Sequence, residues 1–262
     1  MLTLKAILLG LLEGATEFLP VSSTGHLIVA SDVLNYPEQS RATFEIFIQL
    51  GAILAVIWHF RTPLWQATRG AVTHAADRAL LTKVAIAFVP AAIVGLLFHD
   101  AIETYLFSPR VVAVSLILGG LIILVVERKT WSFQTHTIER ASWGQALAIG
   151  MAQILSLIPG VSRAGATIIG GMLAGLDRPT ATQFSFYLSI PTMSAASGYS
   201  LYRARHLIAA DDLLLLGIGF ITAFISALLV VRAFLGFVQR RDFTPFGYYR
   251  IAFGALLLWL LR

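Results

Sequence analysis

Glu13 and Glu17 stand four residues apart inside an apolar stretch, so on a helix their carboxylates share a face. An ionisable side chain at membrane depth costs at least about 2.5–3.5 kcal/mol, so two together need a reason. Paired carboxylates offer oxygen ligands to a divalent cation, and phosphate oxygens commonly complete such a shell. Beyond Pro20 come three hydroxyls, Ser22, Ser23 and Thr24, and His26 follows Ser23 by about one helical turn. A serine beside a histidine base is a potential nucleophile, although serines at a helix start more often serve as caps. A second polar stretch, Pro159-Gly160-Val161-Ser162-Arg163, brings in a guanidinium whose planar fork matches phosphate oxygens. Arg163 could equally pair internally with Glu13, Glu17 or Glu45. These groups suggest chemistry on an anion, performed within a membrane.

The two stretches coincide without a gap when the first is shifted by 140 residues, from Gly10 to Gly150. Glu13 then meets Gln153, Ser22 meets Ser162, Gly25 meets Gly165, Phe44 meets Phe184 and Arg110 meets Arg250. In each stretch a proline stops one helix and a serine starts the next. The first turn of that next helix has unpaired N–H groups and a positive dipole end, a ready anion site. Ser22, Thr24, Ser162, Arg163, Gly165 and Thr167 are the expected substrate-binding positions. Glu45 and Gln49 form another i,i+4 polar pair, expected behind the metal-binding glutamates or as a hydrogen-bonded brace between helices.

What positions these groups follows from composition. Of 262 residues, 57% are hydrophobic and only 13% charged, with mean hydropathy +0.79. Soluble domains carry about 25% charge, so the expectation is an all-α integral membrane protein. Six transmembrane helices are expected at about 43–60, 80–98, 110–126, 182–202, 212–235 and 246–261. Two further apolar regions, about 2–34 and 142–175, are broken by the polar stretches and read as re-entrant hairpins. The start of the chain is expected to be the first of these hairpins and not a cleavable leader. The whole, residues 1–262, reads as one membrane domain of two repeats, about 1–130 and 140–262. An odd number of spans per half makes this an inverted-topology repeat, with its site near the midplane.

The chain has no cysteine, which excludes thiolate–metal and thiol chemistry. The net charge of +5 lies in scattered loop residues and not in a basic tract, so no nucleic-acid partner is expected and membrane lipids are. Loops 61–79, 128–141, 177–181 and 236–245 carry nine Lys and Arg residues, including Arg61, Arg128, Lys129, Arg178 and Arg241. The opposite face holds Lys5, Arg41, Arg203, Arg205 and Arg262. The heavier basic load places the first group of loops in the cytoplasm.

With these residues in hand, the chain resembles the undecaprenyl-diphosphate phosphatase, or bacitracin-resistance, family. The segments carrying the likeness are Glu13 to His26, Pro159 to Arg163 with Gly165-Ala166-Thr167, and Phe44-Glu45 with Ile48 to Gly51. Ala164 departs from the serine common in the family after the motif arginine, so a hydroxyl there cannot be essential in this chain. The resemblance implies an enzyme of the bacterial cytoplasmic membrane with its site open to the periplasm. It would hydrolyse undecaprenyl diphosphate to undecaprenyl phosphate and inorganic phosphate with Mg²⁺ or Ca²⁺. By motif position, Glu13 and Glu17 would hold the metal, and Glu17, Ser23, His26 and Arg163 would carry catalysis. Ser23 assisted by His26, or water activated by His26, would attack; the residues alone do not choose. A possible homodimer is the other expected partner. The rival reading is a lipid-carrier transporter built on the same inverted-repeat site.

Overall fold

The computed structural model describes residues 1–206 and 212–261; Arg262 of the charge count lies outside them. Twelve α-helices follow one another in the described chain. The first half comprises α1 (Leu2–Thr16), α2 (Ser23–Val33), α3 (Glu38–His59), α4 (Arg61–Gly70), α5 (Ala75–Leu97), α6 (His99–Leu106) and α7 (Pro109–Arg128). The second comprises α8 (Trp143–Ile154), α9 (Arg163–Leu173), α10 (Arg178–Ala204), α11 (Leu213–Val238) and α12 (Thr244–Leu260). All six expected spans are helices: α3, α5, α7, α10, α11 and α12. By length and composition, α3, α5, α7 and α11 are apolar enough to cross a membrane. α12 has only 17 residues. α10 is diluted by Thr180, Thr182, Ser185, Ser189 and Ser197, all buried against the rest of the protein. Its hydroxyls find partners nearby, as when Thr182 donates to the Arg178 carbonyl at 2.8 Å and Ser189 to the Phe186 carbonyl at 2.7 Å. A buried polar face of this kind keeps a helix at depth without high hydropathy.

Both broken regions are hairpins whose ends close on themselves. Lys5 near the start of α1 donates to the Asn35 carbonyl just past α2, at 2.8 Å. Gln145 near the start of α8 donates to the Ala174 carbonyl that ends α9, at 3.0 Å, and also pairs with Thr135. The bases lie at opposite ends of the structure. α3 begins beside the first base and leads through α4 into α5, whose Lys83 donates to the Glu139 carbonyl, just ahead of α8. At that second end Glu127 of α7 accepts from Arg178 of α10 and from the Phe243 N–H before α12. His136 and Asp177 pair there at 2.7 Å. Burial alone would raise the Asp177 pKa, but hydrogen bonds from Thr180 and His136 bring it below the usual carboxylate range.

The halves pack reciprocally: α1 lies along α11 and α8 along α5, while α3 meets α10 and α7 meets α12. The close approaches use small residues at matching places. A methyl group added to Gly10 would come within 2.6 Å of the Gly219 carbonyl oxygen on α11, and one added to Gly150 within 2.6 Å of the Ala87 carbonyl oxygen on α5. Backbone-to-backbone contact of this sort is how apolar helices gain dispersion energy where lipid offers no hydrophobic drive. Gly150→Val should therefore force α8 off α5 and lower stability by about 1–3 kcal/mol, read as a reduced melting midpoint in detergent.

Candidate active site

The breaks in the two hairpins are built alike. α1 runs to Thr16, and Glu17–Val21 form a turn that leads to Ser22 at the start of α2. Ser22 has φ 69° and its counterpart Ser162, at the start of α9, has φ 73°. Positive φ is uncommon for any residue but glycine, and such strain collects at functional sites. Ser162 caps its helix, its Oγ accepting from the Gly165 N–H at 3.1 Å. Ser22 makes no such side-chain bond, so the expected cap there is corrected.

Between the two breaks lies a cavity of about 200 Å³. Glu17, Ser23 and Arg163 form its charged wall. The Ser23 hydroxyl donates to Glu17 Oε2, and Arg163 Nη2 donates to Glu17 Oε1 at 3.0 Å. Arg163 also rests on the Phe18 ring, 5.4 Å from its centroid, and Nη1 reaches the Ser185 carbonyl at 3.4 Å. Its Nε is buried and has no hydrogen-bond partner among the described residues. Ser22, Thr24 and Ser162 line the same cavity, so the first turns of α2 and α9 converge on it. Gln49, Ser156 and Thr192 supply a neutral wall, the last two unforeseen from sequence. Ser156 and Thr192 gave no signal because isolated hydroxyls in apolar helices usually back-bond to their own helix, as Thr192 does to Leu188 at 2.8 Å.

Several expected site residues lie elsewhere. His26 does not meet Ser23: its Nδ1 is 2.7 Å from the Ser22 carbonyl and its Nε2 is 2.5 Å from Tyr249 Oη. The helical spacing that suggested a Ser23–His26 pair turns the ring instead toward α12. Thr167 is fully buried, bonded to the Arg163 carbonyl at 2.8 Å and to Ser185 at 2.6 Å, and it and Gly165 are outside the cavity wall. Thr167 projects into the α9–α10 contact because it sits a full turn past the helix start. Glu45 pairs with Arg41 at 3.0 Å, and Arg41 also holds Asp32, tying α3 to the end of α2. Gln49, by contrast, stays on the cavity wall, where its Oε1 accepts from Ser197 of α10 at 2.8 Å.

The metal-binding expectation meets a mixed donor set. Glu13 is 2% exposed, outside the cavity wall, and its Oε2 has no hydrogen-bond partner among the described residues. An unpartnered buried carboxylate oxygen, with Glu17 one turn on, suits a hard cation that takes oxygen ligands. Both Glu17 oxygens are already engaged by Ser23 and Arg163. Glu17 would thus join such a shell only by sharing an oxygen or releasing one of these partners.

Arg250 is the residue sequence reading passed over. It is 1% exposed and sits in mid-α12. Its Nε donates to the Leu116 carbonyl, Nη1 to those of Pro20 and Val161, and Nη2 to those of Ser115 and Gly160, at 2.9–3.3 Å. One side chain thereby grips both hairpin breaks and α7. The available signal was an arginine inside an apolar span, which by default marks a functional or bracing group.

A sequence model of the family described as bacitracin resistance protein BacA matches residues 6–256. The undecaprenyl-diphosphatase of Bordetella petrii is 49% identical over 98% of this chain and 96% of its own length. Those of Cellvibrio japonicus and Dechloromonas aromatica are each 50% identical, over 98% of this chain and 94% of theirs.

Arg250→Met removes every donor that the five carbonyls share. Stability should fall by about 3 kcal/mol or more, since buried acceptors lose their partners. Arg250→Lys, which keeps the charge but reaches fewer carbonyls, should fall between this variant and wild type in a detergent melt.

Proposed function

The chain belongs to the bacitracin resistance protein BacA family, and from that membership we propose that it hydrolyses undecaprenyl diphosphate to undecaprenyl phosphate and inorganic phosphate. The observation that carries the chemical reading is the Ser23–Glu17–Arg163 chain of contacts on the cavity wall. It joins a hydroxyl, a proton acceptor and a phosphate-matching cation from the two halves in one place.

Glu17 takes the Ser23 proton as Oγ attacks the terminal phosphorus. The bond from that phosphorus to the bridging oxygen breaks, and undecaprenyl phosphate leaves with the electron pair. Water then cleaves the phosphoserine, releasing inorganic phosphate and returning the proton to Ser23. Arg163, the cation on the cavity wall, binds the phosphoryl oxygens, and the first turns of α2 and α9 add oriented N–H groups where negative charge gathers. The base is Glu17 and not His26, because Glu17 is the group bonded to the Ser23 hydroxyl. Glu13, with Glu17, would hold a divalent cation, Mg²⁺ or Ca²⁺, which when bound neutralises phosphate charge.

The membrane setting follows from the apolar helices. The finer placement is part of the proposal: the bacterial cytoplasmic membrane, with the basic loops in the cytoplasm and the site open to the periplasm. The two halves are taken as inverted repeats of one domain, supported by the reciprocal packing and the matching Ser22 and Ser162 backbones.

Purified protein in detergent should release phosphate from C55 prenyl diphosphate. A lipid transporter lacking hydrolysis would release none. Glu17→Gln and Ser23→Ala should each lower kcat by about a hundredfold or more, on the scale of losing a general base or its nucleophile, and Ser162→Ala by much less. Equal, mild losses at Ser23 and Ser162 would point to direct attack by water. Chelation should abolish activity, and added Mg²⁺ or Ca²⁺ restore it; full turnover in excess chelator would remove the cation from the reaction.

A further inference from the structure

His26 lies beside the catalytic serine in sequence but faces away from the cavity, and its surroundings assign it a different task. Its Nδ1 is 2.7 Å from the Ser22 carbonyl, which can only accept, so Nδ1 carries the proton. Nε2 of the neutral ring is then an acceptor, and the Tyr249 hydroxyl, 2.5 Å away, is its donor. The ring is stacked on Phe253, with centroids 4.5 Å apart and planes 17° from parallel, and lies parallel to Tyr249. Both nitrogens and the ring plane are therefore fixed by α12 on one side and by the Ser22 carbonyl on the other.

The carbonyl so held belongs to the residue with φ 69°. In the second half the corresponding carbonyl of Ser162 accepts from the backbone N–H of Ala166, at 2.9 Å, and no ring is present. The first half thus has a side-chain brace where the second has only backbone. The following residue in the first half is Ser23, whose hydroxyl must meet Glu17 in the cavity. A strained elbow directly before a nucleophile is a place where a small rotation misaims the hydroxyl, and misplacements of about 1 Å can cost about a hundredfold in rate.

We propose that Tyr249 is a positioning residue for the reaction: its hydroxyl locks the His26 ring in the Nδ1–H tautomer against the Ser22 carbonyl, and so sets the elbow that presents Ser23 to Glu17. This rests on the phosphatase reading above. Tyr249 acts through His26 and is not among the residues that line the cavity.

The test uses the full chain in detergent, with Tyr249→Phe, His26→Gln and the double variant. Tyr249→Phe keeps the ring stack and removes only the hydroxyl. It should lower kcat for phosphate release by about tenfold while KM and the melting midpoint stay near wild type, since the loss is one of aim. The double variant should be no slower than His26→Gln alone, because both changes break one connection. Independently of activity, ¹⁵N-histidine NMR of wild type should show His26, assigned by the signal missing in His26→Gln, as the Nδ1–H tautomer. A wild-type kcat in Tyr249→Phe, losses that multiply in the double variant, or an Nε2–H signal from His26 overturns the proposal. Absence of phosphate release by wild type would defeat the phosphatase reading, while the tautomer would still report on the brace.

Discussion

The guanidinium of Arg250 holds together what the broken helices leave apart. Wherever a helix stops inside an apolar layer, its last carbonyls lose their donors, and lipid supplies none. Two such breaks face each other in this protein, at Pro20 and at Gly160–Val161, and Arg250 donates to carbonyls of both. The exchange works in both directions. The carbonyl dipoles stand in for the carboxylate that a buried cation ordinarily needs, and the cation satisfies oxygens that would otherwise be unpaired. With this interaction the first turns of α2 and α9 share a buried anchor beneath the cavity, beside the Glu17–Arg163 pair on its wall.

On that frame the charged wall is assembled from opposite halves. Glu17 comes from the first break and Arg163 from the second, and neither has an ionic partner within its own hairpin. Their pairing satisfies both charges at low dielectric, where either alone would be strongly disfavoured. The same pairing orients the carboxylate so that its second oxygen accepts from Ser23. Stability and chemistry therefore draw on a single contact.

Much of this was legible in the sequence, and the remainder was hidden for identifiable reasons. Hydropathy located every long helix and both breaks, because proline and glycine interrupt an otherwise continuous apolar pattern. The offset of 140 residues foretold that Ser23 and Arg163 belong to equivalent places, just past the breaks of the two hairpins. Direction was the weak point. The spacing of Ser23 and His26 fits a shared helix face, yet whether that face looks into the cavity or toward α12 depends on how α2 is rolled. Tyr249 and Phe253, more than two hundred residues away in the chain, determine that roll. Thr167 was misjudged likewise, since a hydroxyl one turn inside a helix can face a neighbour as readily as a ligand. Arg250 was visible as a charge in an apolar span, but its partners are backbone carbonyls, which leave no mark in side-chain pattern.

The separation in sequence between Arg250 and its acceptors carries a consequence for biogenesis. Pro20 lies 230 residues before it and Gly160 lies 90 before it. During synthesis both hairpins emerge, and must be accommodated in the membrane, well before the residue that joins their tips has been made. Until α12 arrives, each break carries carbonyls that only water, lipid headgroups or an insertion chaperone can satisfy. The contact that Arg250 makes with both breaks can form only after the last helix inserts, so a chain stalled before residue 250 has both hairpins but not the side chain that joins their tips.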